Sequence, residues 1–530
     1  MVVRDELLLI LDLTSTILRA GIGMHELVRG PLVELPTRLG RKKGTAGTKV
    51  EDFLVGPQLF EAEQKARNGE ESEIEETVHP LRVDERVGFE VTDWVGLEAV
   101  FRYALHTSLQ LSRPPLAHPT ILSVPAHLPP STLDRLHQLL FERLLIPQLL
   151  LSSRPFFAAG AAGILSGVIL DVGYRGEGTE ISVVHENMVL EAPGGLRLPY
   201  VDEGVCDDWC ALQLLEADPG LPGQFAAARG GTELGPGELA YALRAVVGEL
   251  KNRDLLGFES PLLDAPPPSA VAGVEGEDGS FDVAKVIVEG KVNDIVKKKG
   301  KGALAQEEQG DFVTVANPFA PPPPAVDLTG EPALPNPHAT VRLGPARHRY
   351  LEPLFFPRLV SSLAPSSSPA AAQLGFAEYE RFATPEGRTL VAHDGVVGAV
   401  GAVLSRVEDL EVRSAVSEAV VVVSSGRVAS NKALGSTLAP LLSPYRLDAD
   451  SGTVAAIAAE GGVVPQRGVR YARTPDYFSG FKERVGEWGC YLGAGIMGKL
   501  LISDLQSKLF MSKADYASHG PAYYRLLESV

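Results

Sequence analysis

Two stretches far apart in the chain share one layout: an apolar run, an aspartate at its end, a turn of small and polar residues, and a second apolar run. The first is Leu7 to Leu11, then Asp12-Leu13-Thr14-Ser15-Thr16, then Ile17 to Ile22, closing on Gly21 and Gly23. The second is Gly167-Val168-Ile169-Leu170 running into Asp171-Val172-Gly173, a turn through Gly178, and Thr179 to Val184 returning. Apolar and β-branched runs bounded by Gly, Asp, Ser and Thr predict β-hairpins. The repeat points to an internal duplication with one Asp-bearing hairpin in each half. A chain of 530 residues, 45% of them hydrophobic, buries a substantial core but exceeds one simple core, so two large lobes fit it best.

Between the hairpins, Leu97 to Leu109 carries apolar residues at helical spacing, Thr120 to Val124 reads as a buried strand ended by Pro125, and Ser131 to Leu144 as a second helix. Strands alternating with helices predict mixed or parallel α/β sheets. The region from about 261 to 337 differs: it holds Pro266-Pro267-Pro268, the prolines at 321 to 324, and many Gly, Glu and Asp residues. It reads as a largely flexible insertion, with one amphipathic piece from Phe281 to Lys301 and ordered sequence resuming at Ala339. The Lys297-Lys298-Lys299 run inside it reads as a solvated loop.

The formal charge of -18 argues against a general electrostatic grip on DNA or anionic membrane. Cys206, Cys210 and Cys490 are too few and too scattered for a disulfide framework or a zinc site, and suit a reducing compartment. The stretch Leu7 to Leu13, interrupted by Asp12, is too short for a secretory signal, so a soluble intracellular protein is the expectation.

In order along the chain, these segments resemble the actin superfamily. Asp12 to Gly21 looks like the first phosphate hairpin of actin, and Pro36-Thr37-Arg38-Leu39-Gly40-Arg41 is similar to the segment after it. Gly163 to Gly173 looks like the second phosphate hairpin, Val341-Arg342-Leu343-Gly344 with Glu352-Pro353-Leu354-Phe355 resembles a later strand and helix, and Val420 to Gly426 the strand before the adenosine loop. Met511 to Tyr516 with Gly520-Pro521 resembles the closing segment. The fold so implied is α/β and two-lobed, of the actin, hexokinase and heat-shock ATPase superfamily, with duplicated ribonuclease-H-like domains and a long insertion. Residues 1–154 with 485–530 would form the small lobe and 155–484 the large one.

The resemblance implies a nucleotide cleft at Asp12, Ser15, Arg19, Asp171, Gly173, Gly204, Ser425 and Gly426. Such a cleft needs bare backbone N–H groups at tight turns to face phosphates, and carboxylates to organise hydrated Mg²⁺. The two aspartates persist, but Leu13, Thr14 and Thr16 crowd the first turn and Tyr174 and Arg175 the second, where the family carries smaller residues. A gapless alignment from Pro147 to Asp171 puts Arg154 at the position of the Gln that orients the attacking water, and Glu180 stands for a nearby His. A cationic Arg neither accepts a proton nor orients water as Gln does, so the chain is not expected to be an enzyme. Two readings of the cleft stay open: ATP with Mg²⁺ held without turnover, or Asp12 and Asp171 that only satisfy backbone groups at their turns.

Gly493-Ala494-Gly495-Ile496-Met497-Gly498-Lys499-Leu500 imitates a dinucleotide fingerprint and nearly a P-loop, but Leu500 stands where a P-loop needs Ser or Thr, and no βαβ unit follows. Helix packing is the expectation. In the family this helix flanks a groove that takes amphipathic helices, here lined by Gly160, Gly163, Leu165, Leu492, Ile496, Met497 and Leu500. The insertion and the run Thr474 to Phe478 look most like the fungal nuclear class called actin-related protein nine. That likeness implies a structural subunit of SWI/SNF- or RSC-type chromatin remodellers in the nucleus. Its partners would be an actin-related protein of the seven class, a helix of the remodeller ATPase and other subunits, with no direct nucleic-acid contact and no membrane. An ATP-binding or weakly hydrolysing ATPase of the superfamily, and a cytoskeletal actin-related protein, are the competing readings.

Overall fold

The computed structural model describes residues 7–23, 29–67, 71–84, 88–191, 195–263, 311–320, 338–391, 393–446, 468–475, 478–503 and 509–527. The lysine run at 297–299, the segment 281–301, both proline runs, and Asp476 and Tyr477 lie outside them.

Strands β1 (Leu9–Leu13) and β2 (Ile17–Ile22) form the first hairpin and β3 (Val33–Pro36) extends it. Next, β4 (Leu39–Lys42), β5 (Phe53–Val55) and β6 (Ile74–Val78) make a small separate sheet, and β7 (Leu81–Asp84) pairs with β8 (Gly88–Val91). On the other side of β1 lie β9 (Thr120–Val124) and β10 (Gln148–Ser153), both parallel to it, and β19 (Met511–Ser512) closes the edge. The second large sheet repeats this plan. Its hairpin is β11 (Gly167–Val172) with β12 (Thr179–His185), which β13 (Met188–Val189) and β14 (Leu196–Leu198) extend. Parallel to β11 run β17 (Ala419–Ser424) and then β18 (Arg470–Tyr471).

Each sheet is thus a hairpin continued on one side by parallel strands, which is the duplication written in topology. The central strands are predominantly apolar and buried along their whole length, as strands covered on both faces must be, with Asp12, Ser123, Asp171 and Ser424 as polar positions toward their carboxyl ends. Register places the two aspartates equivalently. Asp12 pairs across β2 with Arg19 and across β9 with Ser123, while Asp171 pairs with Glu180 and with Val423. Asp12 and Leu13 therefore belong to β1, and the turn itself is Thr14 to Thr16, a residue pair later than the sequence pattern suggests.

Four helices position the site: α1 (Arg154–Ala162), α2 (Glu203–Ala217), α3 (Pro236–Asn252) and α4 (Val485–Ser503). The dinucleotide-like segment 493–500 lies inside α4, as its apolar spacing implies. One core cluster draws Ile10 and Ile121 from the first sheet and Leu8 from just before it, Ile169, Val421 and Val423 from the second, and Phe157, Cys490 and Leu492 from α1 and α4. The sheets therefore share a core along the α1–α4 seam, and the lobe boundaries read at 154/155 and 484/485 fall within it.

The stretch 261–337 is not uniformly irregular. Residues 311–320 carry β15 (Val313–Ala316), paired antiparallel with β16 (Thr340–Leu343). Val315, Val341 and Leu343 are buried on one side of this ribbon, so a short alternating pattern overrides the loop-like composition around it.

Candidate functional site

The ends of β1 and β11 meet at a single side chain. Arg154 opens α1 directly after β10, and its guanidinium donates from Nη1 to Asp12 Oδ1 at 2.6 Å. Nε donates to Asp171 Oδ2 at 2.6 Å and Nη2 to Asp171 Oδ1 at 3.2 Å, the two-pronged geometry that guanidinium and carboxylate favour. Arg154 is 1% exposed and Asp12 fully buried. Burial works against the charge on Arg154, but the Asp12 and Asp171 carboxylates outweigh it and hold the guanidinium above its usual pKa. Ser123 also donates to Asp12, at 3.0 Å. The aspartates thus bind side chains across the cleft. The reading in which they merely satisfy turn backbone does not hold for Asp12, whose partners are Arg19, Ser123 and Arg154.

Next to this pair, Glu177 reaches from the second turn into the first. Its Oε1 accepts from Ser15 Oγ at 2.6 Å, Thr16 N at 3.1 Å and Thr16 Oγ1 at 3.2 Å, while Oε2 accepts from Tyr174 N at 2.8 Å. Backbone and hydroxyl donors of both hairpins therefore converge on one anion that belongs to the chain. Glu177→Gln should test this. An amide offers one acceptor where two are used, so an N–H group must face donors, at a cost of about 1–3 kcal/mol. Denaturant unfolding should show that loss, and an unchanged midpoint would remove Glu177 from its place at the junction.

The rest of the pattern closes in the same way. A Cβ on Gly173 would lie 2.2 Å from Glu177 Cβ, one on Gly204 2.6 Å from Arg175 Cγ, and one on Gly426 2.3 Å from Glu203 Oε2. Glu203, at the start of α2, takes the loop after β17: its carboxylate accepts from Arg427 N and Val428 N, both at 2.9 Å. Lys251 of α3 donates to Glu203 at 2.8 Å and to Asp207 at 2.7 Å. Arg19, fully buried, donates to Ser425 O at 2.5 Å and pairs with Glu487 at 3.2 Å, Glu34 at 3.4 Å and Asp12 at 3.5 Å. The eight cleft residues read from the sequence are thus brought together, but around internal partners.

Magnesium and a nucleotide triphosphate do not fit this arrangement. Arg154 already answers the carboxylates that would organise the metal, and Glu177 takes the donors that would face phosphate. The cavity left among Thr14, Ser15, Arg154, Asp171, Glu177 and Glu180 is about 30 Å³, room for roughly two waters. Glu180, on its wall, has its carboxyl pushed up to about 7, first by burial and then by the charge of Asp171. The sequence showed Arg154 as a lost Gln, but not as a bridge. Glu177 and Glu203 went unread, although acidic residues just after Arg175-Gly176 and just before Gly204 were the available signal.

The second candidate region, at the α1–α4 crossing, is partly open. Gly160 packs under Met497, whose Cγ would be 2.8 Å from an added Cβ. Gly163 caps α1 in the left-handed conformation with open space around it. Leu165 and Leu500 are 65% and 60% exposed, and Ile496 and Met497 are half-buried. Leu492 lies in the core at 1% exposure, so it supports this surface from beneath and does not line it.

The fold is actin-like, with hairpins that meet in a self-filled cleft. Residues 5–194 match the actin family. Over 127 residues the chain is 28% identical to Actin-related protein 4 of Arabidopsis thaliana, covering 24% of this chain and 27% of that protein. Over 342 residues it is 21% identical to the SWI/SNF and RSC complexes subunit arp9 of Schizosaccharomyces pombe, covering 58% of this chain and 63% of that one. The matched stretches span less than two thirds of either relative.

Proposed function

We propose that this chain is an actin-related protein that serves a nuclear chromatin-remodelling complex of SWI/SNF or RSC type as a non-catalytic structural subunit. It would pair with a second actin-related protein on a helix of the remodeller's ATPase. The likeness to a subunit named for those complexes supports the setting. The observation that carries the non-catalytic part is Arg154, held 2.6 Å from both Asp12 and Asp171. With a resident cation between the carboxylates and a resident carboxylate between the turns, closure of the cleft needs no ATP, and Arg154 stands where the resemblance would put the Gln that orients the attacking water. What remains for the fold to offer is surface, and the exposed rim of the α1–α4 seam is where an amphipathic helix finds an apolar stripe.

Co-expression with a sister actin-related protein and the remodeller helix should yield a complex that survives gel filtration from low to high salt. Failure to co-purify at any salt would overturn the assignment. Phosphate release from ATP by the purified chain should equal that of Asp12→Ala, and turnover abolished by that change would make the chain an ATPase.

A further inference from the structure

A proline directly follows a serine or threonine at Ser260-Pro261, Ser368-Pro369, Thr384-Pro385, Ser443-Pro444 and Thr474-Pro475. Proline pushes the residue before it toward extended backbone, the form in which a kinase groove takes its peptide. Burial separates these hydroxyls. Ser260 and Thr474 are buried, and Ser260 donates to Glu352 at 2.7 Å. Ser443 is half-buried and donates to Ala439 O at 3.1 Å, while Ser368, also half-buried, caps a helix by accepting from Ala371 N at 3.1 Å. Thr384 alone among the five is exposed.

Thr384 lies between a 3-10 stretch, Ala377–Ala383, and the short helix Pro385–Leu390, with extended backbone at φ -72° and ψ 155°. Its hydroxyl donates to Arg381 O at 2.8 Å and accepts from Gly387 N at 3.0 Å. The segment is held at both ends and loose between them. Phe382 and Val391 are each 1% exposed, whereas Pro385, Glu386, Arg388, Thr389 and Leu390 are exposed and Ala383 is half-buried. Drawing 383–390 away from the surface therefore uncovers no large apolar side chain. Segments with so little buried area open at small cost, so a kinase reaches this hydroxyl without unfolding the lobe.

Charge favours the same position. Arg381 stands three residues before Thr384 and Arg388 four after it, both exposed. Arg388 has no ion pair among the described residues. In a chain of formal charge -18, that is a local setting in which an added phosphate meets cations and not further carboxylates alone.

We propose that Thr384 is a phosphorylation site of the folded protein, modified by a proline-directed serine/threonine kinase. Thr384 Oγ attacks the γ-phosphorus of ATP. The new Oγ–P bond forms as the bond from that phosphorus to the β–γ bridging oxygen breaks, ADP leaves, and the hydroxyl proton passes to the base of the kinase. The product carries about two negative charges at pH 7 and no longer donates to the Arg381 carbonyl. Arg388, one helical turn along, is the neighbour that answers the new charge. The modification is independent of the remodeller assignment above.

The purified full chain, incubated with magnesium ATP and a recombinant proline-directed kinase, should take up one phosphate by intact mass, mapped to Thr384 by peptide fragmentation. Thr384→Val should reduce incorporation tenfold or more. Pro385→Ala keeps the hydroxyl and alters an exposed side chain; it should slow incorporation comparably, which keeps the test decisive if the first variant folds poorly. No uptake by the folded chain, a label on one of the other four dipeptides in place of Thr384, or a label indifferent to both variants would each overturn the proposal.

Discussion

Arg154→Ala should cost about 3–5 kcal/mol of stability, read as a lower denaturant midpoint and a fall of several degrees in thermal denaturation. The reason is asymmetry. A buried ion pair adds little net stability when intact, because desolvating its charges offsets much of their attraction. Removing one partner leaves the others buried and unanswered. Here the lost partner serves two acceptors, since Arg154 holds both Asp12 and Asp171 at 2.6 Å. Arg154→Met, which keeps the length of the stem, should be nearly as damaging, because the loss is of charge compensation more than of packing. Millimolar Mg²⁺ should restore part of the deficit in either variant and do nothing for the parent chain. Two carboxylates relieved of their guanidinium are hard oxygen ligands suited to a divalent ion. A variant as stable as the parent would mean that Arg154 does not bridge the two hairpins.

How far the sequence reaches is clearest around that bridge. Both hairpins were legible, because an apolar run without alternation, bounded by Gly and Thr, has few structures open to it. Equivalent placement of Asp12 and Asp171 followed from the repeat, and the α/β order of elements followed from alternating strand and helix patterns. What sequence could not supply was the partner of each charge. Glu177 meets Ser15 across 162 positions, and Arg19 meets Glu487 across 468. No local spacing marks such pairs. Substitution patterns were informative about loss and silent about replacement: bulky turn residues meant that phosphates no longer fit, while the anion that takes their place is visible only in three dimensions. Composition misled once, at 311–320, where one strand of a two-stranded ribbon sits inside a Pro- and Gly-rich region because Val315 finds Val341 and Leu343 to pack with. Leu492 shows the limit of helical spacing, which separates one face of α4 from another but does not say which face is covered.

The seam between α1 and α4 offers a steric test in which two effects oppose each other. Gly493→Ala in the middle of α4 should gain up to about 1 kcal/mol from helix propensity. Yet the added Cβ would lie 1.8 Å from the Phe157 carbonyl oxygen and 2.6 Å from its carbon, both backbone atoms of α1. Backbone inside a packed core cannot swing aside as a long side chain can, so the helices must separate. Overpacking of that kind costs about 1–3 kcal/mol, occasionally more, and contact with backbone places this case at the upper end. The clash therefore wins, and a net loss of about 2 kcal/mol is expected after the propensity gain. Gly248→Ala in α3 is the control, since nothing lies within 4 Å of its added Cβ, and it should stabilise slightly. Separation of α1 from α4 also moves Gly160 away from Met497, so capture of a partner helix should weaken more than the stability change alone explains. If Gly493→Ala and Gly248→Ala behave alike in chemical denaturation, the two helices do not cross as closely as this packing requires.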